Sequence, residues 1–160
     1  MLITNVEITK FRSVLKIKFD AASLSAICGP NSCGKSNIIR ALKFAFLPTY
    51  SPERMADNVS FSATSPNAAC NIKITFDAPT AVLAAALQIP VGQPFSYSIS
   101  VKKNGRKECR LNNQTLSEEN RSIFLDNIIV VHVPPVRDIA AEGLEPFKKR
   151  LVFRDDLALL

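Results

Sequence analysis

The residues of this 160-residue chain whose types and spacing suit chemistry are Gly29, Gly34, Lys35 and Ser36, in the order Gly-x-x-x-x-Gly-Lys-Ser. Pro30, Asn31, Ser32 and Cys33 lie between the glycines, and Asn37 follows directly. Glycines at both ends let the backbone curl until successive N–H groups point inward, forming a concavity that holds an anion. A helix starting near Lys35 aims its unpaired N–H groups and the positive end of its dipole at the same point. In this pattern, the P-loop, Lys35 reaches the β- and γ-phosphates of a nucleotide and the Ser36 hydroxyl holds Mg²⁺. Nucleotide binding is the chemistry implied; the plainer alternative is a glycine turn between a strand and a helix.

Such a loop needs a strand before it and a helix behind it. Residues 24–28 form a short apolar run with β-branched Ile27, which predicts the strand. Ile38, Ile39, Ala41, Leu42, Phe44, Ala45 and Phe46 recur at helical spacing and predict a buried helix. Upstream, residues 2–9 are β-branched and roughly alternating, Phe11-Arg12-Ser13 makes a turn, and residues 14–19 alternate again. This predicts two antiparallel strands, joined to the loop strand through residues 20–23. Downstream, residues 48–69 are rich in Pro, Ser, Asn and Ala and read as a long loop or insertion.

A strand is predicted at 71–76, then a short helix over 80–87 opened by Pro79. Residues 95–103 and 106–111 flank Asn104-Gly105, a hairpin signal because both turn residues accept positive φ. Ser117 suits a helix N-cap, with Glu118 and Glu119 in the first turn, and that helix should run to about residue 125. Residues 127–133 are apolar apart from Asn127 and His132, as in a strand buried on both faces; Pro134-Pro135 ends it, and 139–160 reads as helical and charged. The expected organisation is a phosphate-binding lobe over 1–137, with 138–160 beginning a helical segment. The fold class is α/β, with a mixed sheet, antiparallel leading strands and flanking helices.

Composition narrows the class. The chain is 47% hydrophobic and 21% charged, which is globular rather than disordered. A net charge of +6 suits a polyanionic partner such as DNA or RNA, although the basic residues are scattered and Lys102, Lys103, Arg106 and Lys107 equally suit a solvated hairpin. The four cysteines, Cys28, Cys33, Cys70 and Cys109, have no C-x-x-C spacing, so neither zinc nor a disulfide framework is indicated. Cys28 reads as a buried strand residue; Cys33 is either filler or a position whose oxidation blocks the nucleotide. No apolar run approaches a membrane span, and Glu7, Lys10 and Arg12 interrupt any leader, so a cytoplasmic, reduced chain without membrane attachment is expected.

The opening Ile3-x-x-Val6-x-Ile8-x-x-Phe11-Arg12-Ser13, a strand, and then Ile27 through Leu42 with its Gly-Pro-Asn-x-x-Gly-Lys-Ser-Asn core resemble the start of an ABC-type ATPase head. The branch it resembles is the SMC, RecF and OLD-like group of "AAA" ATPases. Val131-His132-Val133-Pro134-Pro135-Val136-Arg137 is similar to the strand-Pro-x-Arg segment of OLD-like members. The resemblance implies ATP and Mg²⁺ as ligands, Asn31 facing the γ-phosphate, and Arg12 and Ser13 near the phosphates or base, where the alternative is a surface turn. The Gln that touches Mg²⁺ in the wider group has no counterpart here. His132 and Arg137 are the polar residues available, with His132 equally a satisfied core histidine.

A Leu-Ser-Gly-Gly-like signature, a strand ending in Asp-Glu (Walker B) and a switch histidine are not found in the sequence. The expectation is therefore the N-terminal half of a head, binding ATP weakly and turning it over negligibly. Implied partners are the C-terminal half of the same head, a second head across sandwiched ATP, DNA, and a nuclease domain or subunit. The process served is DNA repair, chromosome maintenance or anti-phage defence. The rival readings are a small P-loop kinase or GTPase, and a non-catalytic interaction module stabilised by nucleotide.

Overall fold

Strict alternation dictates the main sheet. In the computed structural model, which describes residues 1–46, 59 and 68–128, β4 (Phe95–Lys102) buries Phe95, Tyr97, Ile99 and Val101 and leaves the residues between them half-buried. A period of two places one set on each face of a strand, so one face must go to a core. β3 (Ala69–Phe76) does the same with Cys70, Ile72, Ile74 and Phe76, and β1 (Ile3–Phe11) with Val6 and Ile8, after which Lys10 at φ of 54° breaks the period and Phe11 is buried in its place. The strands β2 (Val14–Asp20), β5 (Lys107–Leu111) and β6 (Gln114–Thr115) complete a six-stranded sheet in the order β2-β1-β3-β4-β5-β6. Register carries the apolar rows across: Ile8 opposes Ile72, Ile72 opposes Ile99 and Ile99 opposes Cys109.

The helices α1 (Lys35–Phe46) and α3 (Glu118–Asp126) lie against that apolar face, and α2 (Ala81–Leu87) connects β3 to β4. Aromatic rings make the joint. Tyr97 lies 4.5 Å from Phe124 of α3 and 6.3 Å from Phe46 of α1, and Phe76 stacks on Phe95 at 5.0 Å. The Tyr97 hydroxyl donates to the Ala45 carbonyl at 3.3 Å and contacts the Cys109 sulfur at 3.6 Å. Burial, with the Cys109 thiol beside it, pushes the Tyr97 phenol well above its ordinary range, so it stays a neutral donor. The opposite face is polar. Glu7, Thr9, Lys73, Ser98, Glu108 and Arg110 are among the residues bordering a shallow concavity of about 480 Å³.

The α/β lobe with antiparallel leading strands is present, and its described ladders are antiparallel throughout. The expected parallel component required the strand at 24–28. Those residues join no described ladder, and Leu24 is 91% exposed. A strand holds only where a neighbour takes its N–H and C=O groups, and no described strand lies alongside this one.

Several local expectations shift. Gly105 has φ of 79°, but Asn104 does not take positive φ. The Gly105 N–H donates to Lys102 O at 2.9 Å, giving a turn closed by a left-handed glycine instead of the two-residue form. Asn104 uses its side-chain oxygen to accept from Arg106 N. Thr80 caps α2 by accepting from Leu83 N, so Pro79 stands before the cap and not inside the helix. β3 begins at Ala69, the last residue of the expected long loop. Within that segment Val59 is buried and bridges to Phe11. The rest of 47–67 and the expected strand and helical tail from residue 129 onward lie outside the described residues, with Asn127 capping α3.

Two substitutions separate the packing from the caps. Phe124→Ala removes a fully buried ring that touches Tyr97, Phe76 and Phe95, and is expected to cost about 3–5 kcal/mol in denaturant unfolding. Ser117→Ala removes only the cap bond to Asn120 N and is expected to cost about 1 kcal/mol. Equal losses would mean that α3 is held by its cap and not by Phe124.

Candidate phosphate-binding site

The loop before α1 takes a conformation that side chains resist. Gly34 has φ of 97° and Gly29 has φ of 152°, and a Cβ on Gly29 would stand 3.1 Å from the Cys33 sulfur. Ser32 between them sits at φ of 63°, uncommon for a residue other than glycine. The helix then starts at once, with Asn37 N and Ile38 N both donating to Gly34 O. The backbone thus curls and delivers a helix N-terminus within a few residues.

Lys35 folds back over this loop. Its Nζ donates to Gly29 O at 2.7 Å and to Pro30 O at 2.6 Å, and lies 3.8 Å from the Cys33 sulfur. The ammonium is held at the loop by neutral carbonyls. Beside it opens a cavity of about 300 Å³ lined by Ser13, Asn31, Ser32, Gly34, Lys35, Ser36, Asn37 and Arg40. Two of these eight are cations and none is a carboxylate. The first turn of α1 also contains no acidic residue. Acidic residues stabilise a helix N-terminus, and none stands in this first turn or among the described lining residues to pair with the two cations.

The hairpin turn between β1 and β2 closes the cavity from the other side. The Asn37 amide nitrogen donates to the Ser13 hydroxyl at 2.7 Å, and the Asn37 oxygen accepts from the Arg40 guanidinium at 3.3 Å. Lys10 and Arg12 reach this turn in the left-handed region, at φ of 54° and 49°. Of the residues singled out in the sequence, Ser13, Asn31, Ser32, Gly34, Lys35, Ser36 and Asn37 meet at the cavity, and Gly29, Pro30 and Cys33 touch the Lys35 amine. Arg12 is half-buried on the adjacent turn and does not line the cavity. His132 and Arg137 lie outside the described residues.

Arg40 is the lining residue that motif reasoning passed over. Its signal was available: it stands four residues after Ser36, hence on the same helix face. Cys28 is exposed and not a buried strand residue, since residues 24–28 join no ladder among the described residues. Among the described residues no cluster of His, Cys, Asp or Glu is arranged to hold a metal, and no helix is long and apolar enough to cross a membrane.

A glycine-pinched loop opening onto a helix N-terminus, joined to an antiparallel sheet, defines the N-terminal lobe of an ABC-type ATPase head. The chain belongs to the RecF/RecN/SMC N terminal domain family, whose model matches residues 2–131. Solved structures agree on the fold. A chain from work on ATP-driven dimerization and DNA-stimulated activation of SMC ATPases is 22% identical with a TM-score of 0.65, covering 94% of this chain and 96% of that one. The SMC head domain from Thermotoga maritima is 21% identical with a TM-score of 0.57, covering 81% of this chain and 43% of its own. The recombination mediator RecF bound to ATP is 18% identical with a TM-score of 0.57, covering 94% and 37%. The chain therefore spans less than half the length of these last two. No curated protein matches it.

The cysteines give a test of this arrangement. Cys28 and Cys33 are exposed, whereas Cys70 and Cys109 are buried and burial pushes the Cys70 thiol up to about 11. A thiol reagent at neutral pH should label Cys28 and Cys33 rapidly and the other two only on unfolding. Slow labelling of Cys28 would show that residues 24–28 are covered in solution.

Proposed function

We propose that this lobe binds the phosphates of Mg-ATP in the Ser13–Arg40 cavity and supplies the P-loop of an SMC/RecF-type ATPase head. The observation that carries the reading is a cavity with two cations, a helix N-terminus and no carboxylate among its described lining residues, entered by a loop whose two glycines take positive φ that side chains resist. The residues fit the ligand. Asn31 and Lys35 would face the terminal phosphates, and the exposed Ser36 hydroxyl would take the Mg²⁺. Held there, the ion would supply charge neutralisation for phosphoryl transfer. On binding, Lys35 exchanges its two neutral carbonyl partners for phosphate oxygens, so that the acceptor as well as the donor is charged.

Hydrolysis needs a carboxylate-bearing strand and a positioned water, and the sequence contains no Asp-Glu strand end. Turnover is therefore assigned to the assembled head, with ATP sandwiched against a second head. The process served is DNA-associated: repair, chromosome maintenance or defence against phage, in the last case with a nuclease domain or subunit. The family and the net charge of +6 support DNA as the polyanion concerned.

Titration calorimetry with Mg-ATP tests the site. Lys35→Ala should weaken binding at least about tenfold, as loss of a charge-assisted contact requires, while leaving the circular dichroism spectrum unchanged. Unaltered affinity would remove the phosphate-binding assignment. A second measurement tests the division of labour. The chain alone should turn over ATP negligibly, and adding a polypeptide with the Walker B and signature elements of the same head should restore turnover. Robust hydrolysis by the chain alone would overturn that division.

A further inference from the structure

Lys35 is not the only cation at the cavity. Arg40 lies one helical turn beyond Ser36, and helical side chains tilt toward the N-terminus, so its guanidinium returns to the cavity mouth, where one nitrogen stands 3.3 Å from the Asn37 oxygen. The described residues give Arg40 no ion pair: the three salt bridges among them join Lys107 and Arg121 to Glu118, and Arg110 to Glu108. An arginine held by one amide oxygen keeps most of its five donors for another acceptor.

The Asn37 side chain is committed at both ends. Its nitrogen donates to Ser13 and its oxygen accepts from Arg40, so the hydroxyl, the amide and the guanidinium form one chain from the β1–β2 turn to α1. Ser13 and Asn37 thereby aim Arg40, as a neighbour that fixes a side chain's direction lowers the entropy lost when it engages a ligand. The two cations occupy different parts of the cavity wall. Lys35 is bonded to the loop carbonyls of Gly29 and Pro30, and Arg40 to the helix residue Asn37.

We propose that Arg40 is a second cationic contact for the bound nucleotide, directed by the Ser13–Asn37 pair onto the α-phosphate, at the end of the phosphate chain away from Lys35. This rests on the phosphate-binding reading given above and adds a residue that the Gly-x-x-x-x-Gly-Lys-Ser pattern does not contain. A planar guanidinium matches two phosphate oxygens at once, which an ammonium does not. The α-phosphate is present in ATP and in ADP alike, so the contact contributes equally to both and does not discriminate between them. Ser13→Ala leaves the charge in place but frees the end of the chain that aims it.

The test is calorimetry on the full chain with Mg-ATP and Mg-ADP, comparing wild type, Arg40→Gln, Arg40→Lys, Ser13→Ala and Lys35→Ala. Arg40 is exposed and outside the core, so its variants are expected to fold, and circular dichroism checks this. Arg40→Gln should lower the affinities for ATP and ADP by the same factor, about tenfold, the scale of one charge-assisted hydrogen bond. Arg40→Lys should recover part of that loss, and Ser13→Ala should give a smaller loss for both ligands.

Each other outcome overturns a distinct part of the argument. Unchanged affinity in Arg40→Gln would make Arg40 a solvated surface residue and end the proposal. A loss for ATP alone would move the contact to the γ-phosphate. If Lys35→Ala binds as tightly as wild type while Arg40→Gln does not, the phosphate-binding reading of the P-loop fails, and with it the placement of Arg40 on the α-phosphate opposite Lys35, although Arg40 remains a nucleotide contact. If wild type binds neither nucleotide, both readings fall together.

Discussion

The loop between Gly29 and Lys35 is held by α1, and α1 is held by its apolar side. Ala41 and Ala45 are fully buried, Phe44 lies 5.8 Å from Phe11 at the end of β1, and Phe46 packs on both Tyr97 and Phe76. Burial of one such phenylalanine is worth about 1.5–3 kcal/mol, and the two alanines let the helix approach the sheet closely. The Tyr97 hydroxyl adds a bond to a carbonyl in the last turn of α1. Loss of this docking would release the helix N-terminus, and with it the geometry of every backbone N–H in the loop. The geometry of the candidate phosphate site thus follows from aromatic packing one helix length away.

Electrostatics at the site run against what stability alone would select. A helix opening with lysine, with no acidic residue in its first turn and an arginine one turn on, places positive charge where the dipole is already positive. Each such misplacement costs about 0.3–1 kcal/mol in an exposed setting. The two carbonyls bonded by Lys35 offset part of that. Backbone strain collects in the same place: Lys10, Arg12 and Ser32 are three of the six non-glycine residues with positive φ among the described residues. Ser32 lines the cavity, and Lys10 and Arg12 lie on the turn that brings Ser13 to it, so strain and positive charge are found together at and beside one cavity, as in a preorganised anion site.

What could be read from the sequence divides by the range of the forces involved. The loop is a local motif, so Gly29, Gly34, Lys35 and Ser36 were legible from spacing alone, and the alternation of β1, β3 and β4 gave the core face directly. Ile39 shares the helical period of α1 yet is 42% exposed, because the apolar stripe in the sequence is wider than the face the sheet covers. The segment 24–28 has the apolar character of a strand, but pairing depends on a neighbour that local composition does not specify. The two-residue β6 has no period to detect, and the bridge from Val59 to Phe11 joins residues 48 positions apart. Arg40 was missed because motif reasoning ends at the serine while the helix carries the same face onward.

The antiparallel hairpin at the start of the chain explains why the site has a second wall. In a fold that opens with its phosphate-loop strand, nothing precedes the loop to stand opposite α1. Here β1 and β2 are paired from Asn5–Asp20 to Phe11–Val14, and that register places the turn residue Ser13 beyond the last pair, at the sheet's end. Phe11 at the same end is buried and packs on Phe44, so the turn and α1 are fixed to each other through the core as well as through the Ser13–Asn37 bond. The bond alone, exposed and single, is worth about 1 kcal/mol; the ring contact beneath it restricts where both partners can be. A short polar link above an apolar anchor is therefore sufficient to make the hairpin turn one wall of the candidate site's cavity.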